Sequence, residues 1–499
     1  MHRASASTGD GAPLSVCQIV IIVQFTSPVM PPGRCWGPSG LRDGVSSFLY
    51  IQSTYNCTSF IYTLYFAMFH STDLTTGKEN GAIVLEMRHT DHFFMSSGSL
   101  IKNWDQWQQQ LIRDDEIRVG SIQSWVKSAE DSAQSFTQTQ PITSGLKLQT
   151  LNYIVTITIG TTNMTVIVDT GSDLTWVQCQ PCTSCYTQPQ PLYNPESSPS
   201  YLSVPCNATA CHNLSTGNSG LCRGSSSVCN YTVSYGDGSY TNGELGRDRL
   251  VLGSTSIDGF VFGCGKNNKG LFGSASGLMG LGRSDLSLIS QTSDVFGRVF
   301  SYCLPSSTDS ENSKGSLVFG GDSLLFKNST PISYAAMVQN PQLYSFYILN
   351  HTRTSIGGVL VQDSNRSHMM ILDSGTVITR LPPSIYKAFK AEFLKQFSGY
   401  TIVTGYSILD TCFDFSAYEE VNIPTVTLQF EGGAELSVDI TGIFYFAKSD
   451  ASQVCLAMAS LTYEDDIGII GNYQQRNTRV VYDTNNSRVG FAKEVCSFV

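Results

Sequence analysis

Charge is scarce in this chain. Only 14% of its 499 residues are Asp, Glu, Lys or Arg, and bases are the rarer kind, 30 against 40 acids. A net charge of −10 with no lysine run excludes nucleic acid as the main partner, since phosphate binding needs a basic face. A surface short of bases also loses much of its charge as carboxylates protonate, which suits work at acidic pH. Long apolar runs are missing too. The uncharged run Phe60–Phe69 falls well short of the ~20 residues that a bilayer span needs. It reads instead as the core of a signal or signal-anchor, displaced from the first methionine. Beyond it no stretch is long and apolar enough to span. There is no G-x-S-x-G, no G-x-x-x-x-G-K-[ST] and no strand–G-x-G-x-x-G–helix unit, so serine-hydrolase, P-loop and dinucleotide readings lack their motifs.

What is present points to a large folded body. Hydrophobic residues make up 41%, with 26 Phe and 23 Tyr, which supplies a core and excludes wholesale disorder. The length calls for two or three folding units. Twelve of the 15 cysteines lie from residue 179 onward, at Cys179, Cys182, Cys185, Cys206, Cys211, Cys222, Cys229, Cys264, Cys303, Cys412, Cys455 and Cys496. The spacing Cys179-x-x-Cys182-x-x-Cys185 also fits a metal site, but the only histidine nearby is His212 and the surroundings are Ser-, Thr- and Pro-rich. Nine N-x-S/T sequons, several beside the cysteines, favour a disulfide-stapled glycoprotein of the secretory pathway, with no metal. Cys412 and Cys455 read as a local pair.

Along the chain, residues 1–45 form an N-terminal extension of uncertain status, with one apolar patch at Val16–Phe25. Residues 46–82 hold the signal-like run. From Trp104 to Val126 the residues Trp104, Trp107, Leu111, Ile112, Val119, Ile122 and Val126 recur at helical spacing. A polar linker, Ser128–Ser144, follows, so residues 83–146 read as a removable prosegment and a mature domain begins near Lys147. From residue 150 onward short Thr/Val/Ile/Tyr strands dominate, split by Gly and Asn turns. One helix is expected at Ser384–Phe397, N-capped by Ser384, with Ile385, Phe389, Phe393 and Phe397 on its core face. The fold class is all-β with few short helices.

The chemistry lies in a repetition. Ile167-Val168-Asp169-Thr170-Gly171-Ser172 and Ile371-Leu372-Asp373-Ser374-Gly375-Thr376 each end an apolar strand with Asp, a hydroxyl residue, Gly and a second hydroxyl residue. They stand 204 residues apart, enough to place one aspartate in each of two lobes. Two facing carboxylates cannot easily both ionise, so one serves as base and the other as acid.

With these quartets the chain resembles the pepsin-like aspartic proteases, and most closely their plant nepenthesin-type branch. The likeness covers roughly residues 83–499 and rests on further matches: Asp173-Leu174-Thr175-Trp176, the flap sequence Tyr235-Gly236-Asp237-Gly238-Ser239, and the glycine-flanked strands Gly277–Gly282 and Ile469–Asn472. It implies a bilobal fold, with an N-terminal lobe at 147–340 carrying Asp169, the flap and a cysteine-rich insertion, and a C-terminal lobe at 341–499 carrying Asp373. Asp169 and Asp373 are then the catalytic pair that activates a water. Thr170, Gly171, Ser172, Ser374, Gly375 and Thr376 support the loops, with Ser172 and Thr376 bonded to the outer carboxylate oxygens. Tyr235, Gly236 and Asp237 form a flap over the substrate, and Trp176 lies beneath it with its indole N–H near the tyrosine hydroxyl. The expected function is a monomeric aspartic endopeptidase made as a zymogen, without cofactor, acting on protein or peptide substrates at acidic pH. Its destination is the apoplast or the vacuole, with the chloroplast as a further one. The alternative is an inactive binding protein of the same fold.

Overall fold

The computed structural model describes residues 82–89, 104–131 and most of 152–496, with short pieces at 22–24, 50–52, 63–64 and 78–79. Almost all of the N-terminal extension, the run Phe60–Phe69 apart from 63–64, and the linker after residue 131 lie outside the described residues. Contacts divide the chain into Met1–Thr75 and Thr76–Val499. The first unit contains Ile22–Gln24, Tyr50–Gln52 and Thr63–Leu64 as a small antiparallel sheet. The second holds everything that follows.

The expected strands form where side chains alternate. In Tyr153–Ile159 the residues Tyr153, Val155, Ile157 and Ile159 enter the core, while Thr156 faces water. Gly160, at φ 59°, makes the tight turn into Thr162–Asp169, a left-handed conformation that favours glycine. That strand delivers Asp169. Beside it, in parallel, runs Gly277–Gly280, itself antiparallel to Trp176–Gln178. The second lobe repeats the device: His368–Leu372 runs parallel to Gly468–Ile470, which pairs antiparallel with Thr379–Leu381. Each aspartate therefore leaves a strand locked by a glycine-flanked parallel neighbour.

A shared sheet joins the lobes. Val299–Cys303 lies between Gly315–Phe319 and Thr478–Asp483, and Arg488–Lys493 and Ser333–Ala336 extend the row. The strand Ala82–His89 caps its far side. Ile83 through Met87 pair with Phe319 through Gly315, and Arg88 and His89 continue onto Ile154 and Tyr153. The segment upstream of residue 147 is thus woven into the body, with Ile83, Leu85 and Met87 buried.

Six disulfides pair the twelve cysteines: Cys179–Cys264, Cys182–Cys185, Cys206–Cys222, Cys211–Cys229, Cys303–Cys496 and Cys412–Cys455. The helix α1 spans Trp104–Asp131, five residues beyond the apolar stripe that signals it. A second long helix, α2, spans Pro383–Gln396 with Ile385, Phe389 and Phe393 buried. Its expected Ser384 cap is not formed. Pro382 occupies the cap position, and Ser384 sits one residue inside the helix, where its backbone N–H bonds Glu464. A proline preset to φ near −65° starts this helix in place of a capping side chain.

Candidate active site

Asp169 and Asp373 are both buried at the bottom of the cleft between the lobes. Each carboxylate is gripped by its own loop in the same way. Ser172 Oγ donates to Asp169 Oδ2 at 2.6 Å and Gly171 N–H to Oδ1 at 3.1 Å. Thr376 Oγ1 donates to Asp373 Oδ2 at 2.6 Å and Gly375 N–H to Oδ1 at 2.9 Å. The inner hydroxyls cross between lobes. Thr170 N–H donates to Ser374 Oγ at 3.1 Å and Ser374 N–H to Thr170 Oγ1 at 2.9 Å. In turn Thr170 Oγ1 donates to Leu372 O and Ser374 Oγ to Val168 O. This cross-brace locks one loop to the other, so the two carboxylates keep a fixed separation.

Neither Gly171 nor Gly375 has a positive φ, so conformational freedom is not the reason for glycine here. Space is. A Cβ on Gly171 would stand 2.6 Å from Asp373 Oδ1, and one on Gly375 would strike Asp169 Oδ1.

A third charged group completes the site, and it comes from helix α1. Arg118 Nη2 donates to Asp169 Oδ1 at 2.8 Å and to Asp373 Oδ2 at 2.9 Å, while its Nε reaches Asp373 Oδ2 at 3.1 Å. Burial pushes the Asp169 carboxyl above its ordinary range; Arg118 pulls it down, and Asp373 pushes it up. One turn earlier on the helix, Asp115 accepts from Val377 N–H at 2.5 Å, Ile378 N–H at 3.1 Å and Arg380 Nη2 at 3.0 Å. Burial pushes Asp115 upward against the pull of Arg380. Leu111 and Ile112 pack with Val377, Ile378 and Tyr473, whereas Val119, Ile122 and Val126 pack with Phe346, Ile371 and Ile469. Gln123 forms a two-way amide pair with the backbone of Ile467. The helix therefore fills the second-lobe half of the cleft. A cavity of about 690 Å³ remains on the other side, between the helix and Ser234, Tyr235, Leu214 and Asp285 of the first lobe.

Trp176 is fully buried, and its indole N–H donates to Tyr235 Oη at 2.8 Å. Phe272 packs edge-on against both rings, at 4.8 and 5.5 Å between centroids. Tyr235 stands at the foot of the hairpin Asn230–Ser234 and Tyr240–Leu252, closed by Tyr235 N–H donating to Ser239 O at 2.8 Å. Gly236 and Asp237, expected at its tip, lie outside the described residues. The cysteine-rich insertion reaches the cleft too, through Asn213, whose side chain donates to Asp285 Oδ2 at 3.0 Å.

The sequence reading missed Arg118, Asp115, Arg380 and Phe272. A signal existed for two of them. Leu111, Asp115, Arg118 and Ile122 follow one another at i, i+4, i+7 and i+11, so two charges sit within the apolar face of α1.

Two lobes that each bring an Asp-hydroxyl-Gly-hydroxyl loop to a shared cleft define the pepsin-like aspartic protease architecture. Residues 153–321 match the family model "Xylanase inhibitor N-terminal" and residues 348–493 match "Xylanase inhibitor C-terminal". An aspartyl protease family protein of Arabidopsis thaliana is 42% identical over 400 residues, covering 78% of this chain and 82% of its own. Aspartic proteinase nepenthesin-1 of Nepenthes gracilis is 38% identical over 363 residues, covering 69% of this chain and 78% of its own. The basic 7S globulin of soybean shares the fold, with a TM-score of 0.55 at 22% identity, over 70% of this chain and 95% of its own. The chain belongs to the plant nepenthesin-type branch of the pepsin-like aspartic proteases.

Proposed function

We propose that this chain is the zymogen of an acid-acting aspartic endopeptidase, with Asp169 and Asp373 as its catalytic pair. The observation that carries the reading is the pair of mirror-related loops presenting two buried carboxylates that one guanidinium can touch together. With the helix gone, the space held by that guanidinium suits a water bonded to both aspartates. One carboxylate takes the water's proton as its oxygen attacks the peptide carbonyl. The other, protonated, donates to the carbonyl oxygen. The tetrahedral diol collapses as the leaving nitrogen is protonated, without a covalent intermediate. Two facing carboxylates do not readily both ionise, so the proposed working state holds one proton between them. Tyr235, held by Trp176, forms the base of a flap that closes over the peptide.

The prosegment spans residues 83–146, and in the zymogen α1 blocks the site with Arg118 on the dyad. The disulfides, and the exposed sequon residues Asn163, Asn207 and Asn485, support folding in the secretory pathway and delivery to the apoplast or vacuole. Peptides and proteins are the substrates, and the enzyme works as a monomer. A second reading, an inactive binding protein, draws on the family model named for xylanase inhibitors. Intact quartets with complete hydrogen bonding weigh against it.

The deciding experiment takes the full chain from neutral pH to pH 2–6, sequences the new N-terminus and assays peptide hydrolysis with and without a statine-type mimic. Cleavage blocked by the mimic and abolished by Asp169→Asn supports the enzyme. A processed chain that binds the mimic but cleaves nothing supports the binding protein.

A further inference from the structure

Asp115 does more than fill space. Both of its carboxylate oxygens are held by a cradle on the second-lobe wall: the N–H groups of Val377 and Ile378 and the guanidinium of Arg380. Neither amide belongs to the strand pairing of Thr379–Leu381, which begins one residue later. Arg380 is 2% exposed, and its Nη1 is tied at 2.9 Å to the carbonyl of Ile378. That second bond fixes the guanidinium to its own backbone, so its position does not depend on Asp115. The helix brings Glu116 into the field of Arg380 as well.

We propose that this cradle is an acid-selecting subsite of the open cleft, taking a carboxylate of the peptide substrate. The inference rests on the reading that α1 leaves on activation. Departure of Asp115 uncovers two amides and a positioned guanidinium that together match a carboxylate. An apolar or amide side chain in that place leaves the cation without a counter-charge in a largely desolvated wall. Position along the substrate follows from the helix. Asp115 precedes Arg118 by three residues, about 4.5 Å along the axis, so the selected residue falls about one or two residues from the scissile bond. The carboxylate has two sources, an Asp or Glu side chain or the free C-terminus of a short peptide.

The test uses acid-activated full chain and peptides that differ only by Glu or Gln at each position around one cleavage site, each with a free or an amidated C-terminus. The assay is run at about pH 5.5, where a peptide glutamate is ionised. The expected result is a kcat/KM about tenfold higher for Glu than for Gln at one position only. Arg380→Gln brings that ratio to about one while the Gln peptide is still cleaved, and Arg380→Lys keeps part of it. An Arg380-dependent advantage for the free acid over the amide, without a Glu preference, assigns the cradle to chain termini. Equal rates for Glu and Gln at every position and equal rates for acid and amide in the unaltered protein overturn the proposal without any variant. So does a preference that survives Arg380→Gln. Equilibrium binding of the same peptides to the processed Asp169→Asn form separates this proposal from the catalytic one. Tighter, Arg380-dependent binding of the acidic peptide upholds the subsite, and if the unaltered processed chain cleaves no peptide the hydrolase reading falls while the subsite stands. Cleavage without acid preference does the reverse, and neither cleavage nor selective binding overturns both.

Discussion

Asp169 and Asp373 are each held by a hydroxyl, an amide and a cross-lobe brace, so neither depends on substrate for its orientation. Asp169→Asn or Asp373→Asn keeps the shape and removes the shared proton. Activity should fall by about 10²–10⁴-fold with little change in the folding transition, as kcat/KM and calorimetry would read. On the proposed zymogen reading, Arg118 bears on the pH at which the site opens. Burial pushes Asp169 up and the Arg118 charge pulls it down. The Arg118–Asp169 pair favours docking while that carboxylate is ionised, and the support is lost as acid protonates it. Asp115 works in the opposite sense. Burial raises it, so acid neutralises a charge that docking had to bury. Arg118→Gln should accordingly process faster near neutral pH and with a flatter pH dependence. Asp115→Asn should weaken docking yet steepen the acid response. An Arg118→Gln zymogen that keeps the parent's pH profile of processing would refute this assignment. At this scale the quartets were legible because the chemistry fixes residue types at fixed offsets. The two helix charges were not, since their meaning comes from an aspartate pair distant in sequence and from a loop beyond it.

Two elements govern access to the dyad. The hairpin carrying Tyr235 is anchored by a bond from a buried tryptophan and by Phe272. Tyr235→Phe leaves the Trp176 N–H without its acceptor, a loss of about 1–3 kcal/mol at a buried donor. The expected result is a drop of roughly tenfold or more in kcat/KM; an unchanged value would detach the pair from flap positioning. Helix α1 is held mainly by its apolar stripe. Ile112→Ala deletes fully buried methyl groups and should cost docking about 2–4 kcal/mol, read as earlier processing during an acid titration. The helix, the paired β-strands around Gly160 and the core face of α2 were all readable from periodicity. The cap was misplaced by two positions, Ser384 for Pro382, because a serine and a preset proline give competing start signals. Phe272 was invisible because it lies in a loop, where no period marks the side that faces inward.

At the scale of the whole molecule, the two lobes meet through one sheet, and Cys303–Cys496 clips an inner strand of that sheet to the end of the chain. Strand spacing revealed an all-β body, and the separation of the two quartets with the family resemblance implied two lobes. None of these signals revealed that the segment before residue 147 supplies one of its strands, because strand pairing at such separation leaves no local trace. Ala82–His89 buries Ile83, Leu85 and Met87 against Gly315–Phe319. At roughly 1.5–3 kcal/mol per side chain this amounts to about 5–9 kcal/mol, comparable with the ~5–15 kcal/mol net stability of an ordinary domain. It also covers a strand edge that would otherwise present unpaired backbone groups and invite aggregation. A chain beginning at Lys147 should therefore fail to refold from urea, or melt well below the full chain. A full chain processed after folding should keep the native sheet, because a strand already in place leaves only by local unfolding. Supplying a peptide of residues 82–131 during refolding should restore both the melting temperature and binding of the statine mimic. If the truncated chain instead recovers the parent's melting temperature unaided, the leading strand is dispensable and the prosegment acts through α1 alone.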